Sequence, residues 1–367
     1  MAHKPVKAGI IGCGSISDAY FTMCKKFKIL DLASCADIVM ERAEAKAQQH
    51  GLMACTVDQM LADDDLEIVI NLTIPKVHAE VNLAAIDAGK NVHVEKPFAV
   101  TRDEARKVLD AAKAKGVLTG AAPDTFLGAG LQTCRKLIDE GAIGRPIAAT
   151  AFMACHGHES WHPDPEFYYA PGGGPMFDMG PYYITALVSL MGPVKRVTGS
   201  TGKGFDERTI TSEKKNGKVI PVEVPTHVAG VMDFDNGAIA TIVTSFDVWT
   251  HRLPIIEIYG TEGTMWAPDP NGFGGPVRIG KDWEKQDEIA LTHTADPNGR
   301  GMGPADMAYA LRTGRAHRAS GELGNHVLDI MWAFHDASDT GKHIELTTTC
   351  RQPAPLPAGL APGELDD

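Results

Sequence analysis

The chain has 367 residues, with 35 Lys+Arg against 47 Asp+Glu, a net charge of −12 with His neutral. That length suits two domains with real cores, and 44% hydrophobic with 22% charged residues is the composition of a folded globular protein. The acidic balance argues against nucleic-acid or anionic-lipid partners, and no apolar run reaches the roughly 18 residues of a membrane span. Seven scattered Cys, odd in number and without a C-x-x-C pair, read as reduced thiols and not as a disulfide framework or zinc site. Ile10-Ile11-Gly12-Cys13 mimics a lipoprotein cleavage box, but the apolar stretch before Cys13 is only Ala8 to Ile11. That is far below the roughly 7–15 residues of a signal core, so the expected location is the cytoplasm.

In chain order, Val6 to Ile11 reads as a buried strand and Ser15 to Phe27 as a helix. Leu32 to Ala36 is a second strand, followed by a helix from Glu41 to His50. Ile68 to Leu72, Val92 to Glu95 and Val117 to Thr119 are further strands, separated by helices over His78–Ala88 and Thr101–Lys115. Thr101 with Glu104 forms the S/T-x-x-E box that starts a helix. Strand–helix alternation predicts βαβ units and a parallel sheet over residues 1–122.

From 123 to 350 the pattern changes. Leu131 to Asp139 predicts a helix, Ile147 to Cys155 a strand, and Pro175 to Leu190 a helix after Gly172-Gly173-Gly174. Thr226 to Phe234 and Ala238 to Phe246 flank Asn236-Gly237, a hairpin signal, and Ile255 to Tyr259 leads through Thr261-Glu262-Gly263 into another strand. The expected fold is therefore an α/β Rossmann domain followed by an α+β domain with an open, largely antiparallel sheet. Residues 351–367 form a Pro-rich tail, expected to be an arm or a disordered end.

Gly12-Cys-Gly14-Ser15-Ile16-Ser17 follows the first strand and opens the first helix. It is G-x-G-x-x-G with Ser in the last place, which needs only a small residue for helix–strand packing. The glycines allow a tight turn and close approach of a pyrophosphate, held by free N–H groups at the helix start. Asp37 lies just past the second strand, where a carboxylate accepts hydrogen bonds from the adenosine ribose. Ile38 is not basic and Asp37 would repel a 2′-phosphate, so NAD is expected in preference to NADP.

Glu95-Lys96-Pro97 closes the Val92–Glu95 strand. Proline keeps Lys96 extended and presents its ammonium at the C-terminal edge of the sheet, where open α/β folds bind ligands. In Gly172-Gly173-Gly174-x-x-x-Asp178-x-Gly180-x-Tyr182-x-x-Thr185, helical spacing puts Asp178, Tyr182 and Thr185 on one face. Oxidising a secondary alcohol needs a proton taken from oxygen as hydride leaves carbon. Tyr182, with nearby positive charge, or Lys96, with a lowered pKa, can take it. In His156-Gly-His158-Glu159-Ser-Trp161-His162 the spacing resembles a metal set, but a substrate loop with Trp161 and Tyr168 as sugar-stacking faces is the preferred reading. No metal is expected.

These motifs together resemble the Gfo/Idh/MocA oxidoreductases. They are the glycine turn, Asn71-Leu-Thr73-Ile-Pro75-x-x-His78, Glu95-Lys96-Pro97, the Asp178 motif and Glu257-Ile-Tyr-Gly-Thr-Glu-Gly263. The resemblance implies NAD(P)-dependent oxidation or reduction of a sugar or cyclitol, with Lys96 catalytic, Asp178 assisting and Tyr182 where the family usually carries His. It also implies cofactor contacts from Gly12, Gly14, Ser15, Ile16, Asp37, Thr73, Pro75, His78 and Glu95. Substrate contacts are expected from His156, Trp161, Tyr168 and Thr185, and a homodimer or homotetramer through the second domain's sheet. The segment after the last Rossmann strand departs from the family pattern, reading Ala121-Ala122-Pro123-Asp124-Thr125 where Asn and Arg are usual. The alternatives are an NAD-using glycoside hydrolase acting by oxidation and elimination, and a non-catalytic sugar or NAD sensor.

Overall fold

A computed structural model describes residues 3–282, 284–294 and 299–366. Its first sheet holds β1 (Val6–Ile11), β2 (Leu30–Ala36), β3 (Met53–Cys55), β4 (Ile68–Asn71), β5 (Asn91–Val94) and β6 (Thr119–Ala121) in the order β3-β2-β1-β4-β5-β6. Every pairing is parallel. This is the dinucleotide-binding order, in which the chain reverses direction across the sheet between β1 and β4 and leaves a crevice at their C-terminal ends. The helices between strands are α1 (Ser17–Cys24), α2 (Met40–His50), α3 (Val57–Leu61), α4 (His78–Asp87) and α5 (Arg102–Lys115). The predicted box starts α5: Thr101 Oγ1 accepts from Glu104 N, and Glu104 Oε2 accepts from Thr101 N. Strand β3, too short and too exposed at Met53 to show a pattern, is an addition to the expected set.

The second domain begins with α6 (Ala129–Asp139) and β7 (Pro146–Ala154), then α7 (Pro175–Asp178) and α8 (Gly180–Met191). The single helix expected over Pro175–Leu190 is thus two, separated at Met179. After them come β8 (Val194–Gly202), the small pair β9 (Glu207–Thr209) and β10 (Val219–Pro221), β11 (His227–Phe234), β12 (Ile239–Ser245), β13 (Ile256–Gly260), β14 (Thr264–Ala267), β15 (Val277–Asp282) and β16 (Lys285–Ile289). Helices α9 (Met302–Thr313) and α10 (Gly321–Thr340) and strand β17 (Ile344–Glu345) complete the set. The large sheet runs β16-β15-β14-β13-β7-β12-β11-β8-β17, antiparallel except for β12 beside β7. Asn236-Gly237 does turn β11 into β12: Gly237 takes φ +86° and Asn236 Oδ1 accepts from Ala238 N.

One face of this sheet is covered by helices and carries Ala149, Ala151, Ala240, Ile242 and Met232 in the core. The Rossmann core is built from Ile10, Ile68, Ile70 and Val92 of its central strands. Helix α10 packs on both domains, touching α5 and β6 of the first and α8 and β8 of the second, while α9 returns to α1, β4 and β6. The Pro-rich tail is an ordered arm, not a loose end. Pro353 O accepts from Arg135 Nη1, Leu356 N donates to Gln132 Oε1, and Leu356 and Leu365 are buried. The crossing of α10 and the tail fixes the seam between the two domains, where the site lies.

Candidate active site

At the β1–α1 turn, Gly12 takes φ +103°, and a Cβ there would sit 2.6 Å from the Leu72 carbonyl carbon. Only glycine fits. A Cβ on Gly14 would meet nothing within 4 Å, so open space lies before the start of α1. The N–H groups of Gly14, Ser15 and Ile16 have no backbone acceptor among the described residues, the donor set a pyrophosphate requires. Asp37 Oδ2 accepts from Cys13 N at 2.8 Å and Oδ1 from Val39 N at 2.9 Å. A carboxylate has about four acceptor positions, so two remain for ribose hydroxyls. Beside it Ile38 is 97% exposed, leaving an apolar face toward solvent. These residues fit NAD.

The loop after β4 is held from within. Thr73 bonds Asn71 Oδ1 through both N and Oγ1, and Pro75 is exposed at the start of the next turn. His78 is buried with Nδ1 2.8 Å from Pro97 O and Nε2 2.9 Å from Thr73 O. Burial lowers its pKa, and a neutral ring can donate to only one of these carbonyls. Its contacts tie the Thr73 loop to the Lys96-Pro97 turn. Glu95 accepts from the Tyr20 hydroxyl at 2.8 Å and from Lys96 N at 2.9 Å, so it positions the lysine backbone and α1.

Lys96 crosses the domain seam. Its Nζ donates to Asp178 Oδ1 at 2.7 Å and to Asp178 O at 2.8 Å, and lies 5.3 Å from the Tyr182 ring centroid. Asp178 Oδ2 is 3.2 Å from His158 Nε2, so one carboxylate joins lysine and histidine. Burial alone would raise the Asp178 pKa, but Lys96 and His158 outweigh it and hold it down at about 2. Burial would likewise lower that of Lys96, but Asp178, Tyr182 and Glu95 together hold it above its ordinary value. The pair is ionic. Burial raises the Tyr182 pKa, opposed by Lys96 and Arg300, whose Nη2 donates to the Tyr182 hydroxyl at 3.2 Å.

The break at Met179 divides the expected helix between Asp178 and Tyr182. Asp178 ends α7 and turns to Lys96, while Thr185 lies on α8, which is buried on every side. Thr185 lines a small cavity of about 10 Å³ with Pro97, Ala122 and Leu323. His156 stacks on Trp249 at 3.4 Å and lies 3.2 Å from Arg208 Nη1. Its neighbour His158 takes the place at Asp178, because strand β7 has ended and the chain turns through Gly157 at φ +80°. Trp161, 61% exposed, and half-buried Tyr168 stand with their ring centroids at 5.2 and 4.3 Å from that of His158. His158 belonged to the histidine cluster, so its spacing was a signal; Arg300 lies in no motif and had none.

The comparisons agree with this architecture. The chain matches the oxidoreductase family model with an NAD-binding Rossmann fold over residues 6–122, and the GFO/IDH/MocA C-terminal domain over residues 131–266. It belongs to the Gfo/Idh/MocA family of NAD(P)-dependent oxidoreductases. A 1,5-anhydro-D-fructose reductase of Ensifer adhaerens is 28% identical over 359 residues, covering 93% of this chain and 98% of the relative. A D-xylose 1-dehydrogenase (NADP(+)) 2 of Haloferax volcanii is 26% identical over 351 residues, 92% and 99%. An NAD-binding oxidoreductase from Klebsiella pneumoniae shares the fold with a TM-score of 0.82 at 19% identity, over 94% of this chain and 100% of the other.

Proposed function

We propose that this chain interconverts a secondary alcohol of a sugar or cyclitol with its ketone, using NAD. The observation that carries the reading is the meeting of Lys96, Asp178 and Tyr182 across the domain seam, at the sheet edge below the glycine turn. NAD bound at that turn supplies a carbon that takes up or gives back the hydride. The protein's own part is the proton. Lys96 stays an ammonium: two of its three N–H groups are engaged by Asp178, and the third is free to hold the substrate oxygen. A group so firmly protonated is a poor base, so the proton-transfer group is the Tyr182 hydroxyl, where Lys96 and Arg300 oppose the burial that raises its pKa. Trp161 and Tyr168 offer apolar faces to a sugar ring and His158 a polar edge.

The names of the two relatives, one a reductase of an anhydro sugar and one a sugar dehydrogenase, support this substrate class. Asp37 beside the exposed Ile38 favours NAD over NADP. No helix among the described residues is long and apolar enough to cross a membrane, and all seven Cys are free, in keeping with a cytoplasmic enzyme. The uncovered sheet face presents Phe152, Val231, Ile239 and Val243 on adjacent strands, and we infer self-association there; sedimentation at a monomer mass would refute it. The test of function is absorbance at about 340 nm, where reduced nicotinamide absorbs, against a panel of sugars, cyclitols and their ketones. Net NADH formation or consumption is expected. Glycoside cleavage without net NADH would point to the oxidation–elimination reaction, and binding without turnover to a sensor.

A further inference from the structure

Arg300 lies just before α9, remote in sequence from every motif, yet its guanidinium lies over Tyr182. Nη2 donates to the Tyr182 hydroxyl at 3.2 Å and to Asn271 Oδ1 at 3.0 Å, and Cζ is 5.5 Å from the ring centroid. Nη1 is buried with no hydrogen-bond partner among the described residues, both partners of Nη2 are neutral, and the Glu95 and Asp124 carboxylates act on the guanidinium through space. Lys96 approaches the same ring at 5.3 Å, but Asp178 compensates its charge at 2.7 Å. The placement of Arg300 is built in. Asp124, on the cation-free segment after β6, accepts from both Gly301 N and Gly303 N at 2.9 Å, anchoring the backbone that carries Arg300.

We propose that Arg300 is a positioning residue for the proton transfer assigned to Tyr182: it orients the hydroxyl and sets a positive charge in direct contact with the oxygen that becomes phenolate. The inference rests on Tyr182 being the proton acceptor. The charged groups facing Tyr182 are Lys96, Arg300, Glu95 and Asp178. Lys96 with Asp178 forms a nearly neutral pair. Glu95 is engaged by Tyr20 and the Lys96 backbone, which leaves Arg300 as the cation bonded to the phenol oxygen. In oxidation the substrate O–H breaks and the Tyr182 O–H forms; in reduction the proton returns. Arg300 keeps its protons throughout, as its raised pKa requires.

The experiment is a double-mutant cycle of Arg300→Gln and Tyr182→Phe, with Arg300→Lys as a charge-retaining control. It is read as kcat and KM across pH and as NADH affinity by fluorescence. Arg300→Gln should lower kcat roughly tenfold near neutrality, the effect of about one pKa unit on Tyr182, with the loss shrinking as pH rises. Arg300→Lys should recover part of the rate. KM and NADH affinity should stay within about twofold in both, as for a group acting on the proton step alone. In the Tyr182→Phe background, Arg300→Gln should cost nothing further. Equal loss at every pH, or losses that multiply in the double variant, would overturn the role of Arg300 while leaving Tyr182 as acceptor. Wild-type kcat in Tyr182→Phe alone would instead overturn the acceptor assignment, and the inference with it.

Discussion

Replacing Asp178 by Asn removes one charge from the seam with almost no change of shape. The carboxylate sits between Lys96 Nζ at 2.7 Å and His158 Nε2 at 3.2 Å, and the Lys96 and Asp178 side chains are only 19% and 16% exposed. Against the burial that would raise it, the two partners hold the Asp178 pKa at about 2, roughly two units below an ordinary carboxylate. At about 1.4 kcal/mol per unit, the charged form contributes about 2 to 3 kcal/mol to folding. The folded pKa is depressed, so this contribution is complete above about pH 4 and is lost as pH falls toward about 2. Asparagine carries none of it and leaves the Lys96 ammonium unpaired, which adds to the cost at neutral pH. Urea unfolding of wild type and Asp178→Asn should therefore differ by at least about 2 kcal/mol at pH 7, and the gap should close on acidification. A gap under about 0.5 kcal/mol at pH 7, or one that persists unchanged near pH 2, would refute the ion-pair reasoning.

Lys96→Ala should lose at least about 10²-fold in kcat with little change in NADH affinity, because Nζ faces Asp178 and Tyr182 and not the glycine turn. Near-normal turnover would sink that assignment. Asp37→Ser combined with Ile38→Arg should shift the activity ratio toward NADP, since a carboxylate leaves and a guanidinium gains a 97% exposed position beside the ribose. Equal or better activity with NADP in the unmodified protein defeats the NAD preference. His158→Asn keeps a donor for Asp178 and should lower kcat less than about tenfold with an unshifted pH profile. A loss beyond about 10²-fold with the basic limb erased would move the proton acceptor from Tyr182 to His158.

Most of the first domain was readable because its signals are local. A buried parallel strand needs a continuous apolar run, as in Val6–Ile11 and Ile68–Asn71, and the turn between strand and helix needs glycine at positive φ, as at Gly12. The Thr101–Glu104 box and the Asn236-Gly237 hairpin are short-range in the same sense. Strand β3 carries three residues with Met53 exposed, too few to show a period. The tail reads as an arm or a disordered end because proline richness suggests weak intrinsic order. Its order comes from tertiary partners, Gln132, Arg135 and Arg318, that no local pattern announces.

The site divides along the same line. Lys96 and Asp178 were found because each stands in a motif, but that they meet at 2.7 Å follows from the packing of two domains that spacing does not describe. Helical periodicity placed Thr185 on the Tyr182 face correctly for one continuous helix. The chain breaks at Met179, ahead of both residues, so Tyr182 and Thr185 keep their i, i+3 relation on α8, a helix buried on all sides. His156 and His158 were equivalent by strand alternation. The end of β7 at Ala154 and the turn at Gly157 separate them, sending one ring to Arg208 and the other to Asp178. Arg300 lay furthest from reach: its contact with Tyr182 spans 118 positions, and its anchor, Asp124, spans 177 to Gly301. A cation in place beside the phenol therefore requires that the last Rossmann strand, helix α8 and the segment before α9 be assembled together. The Tyr182 phenol and the Arg300 guanidinium meet only in the folded two-domain chain.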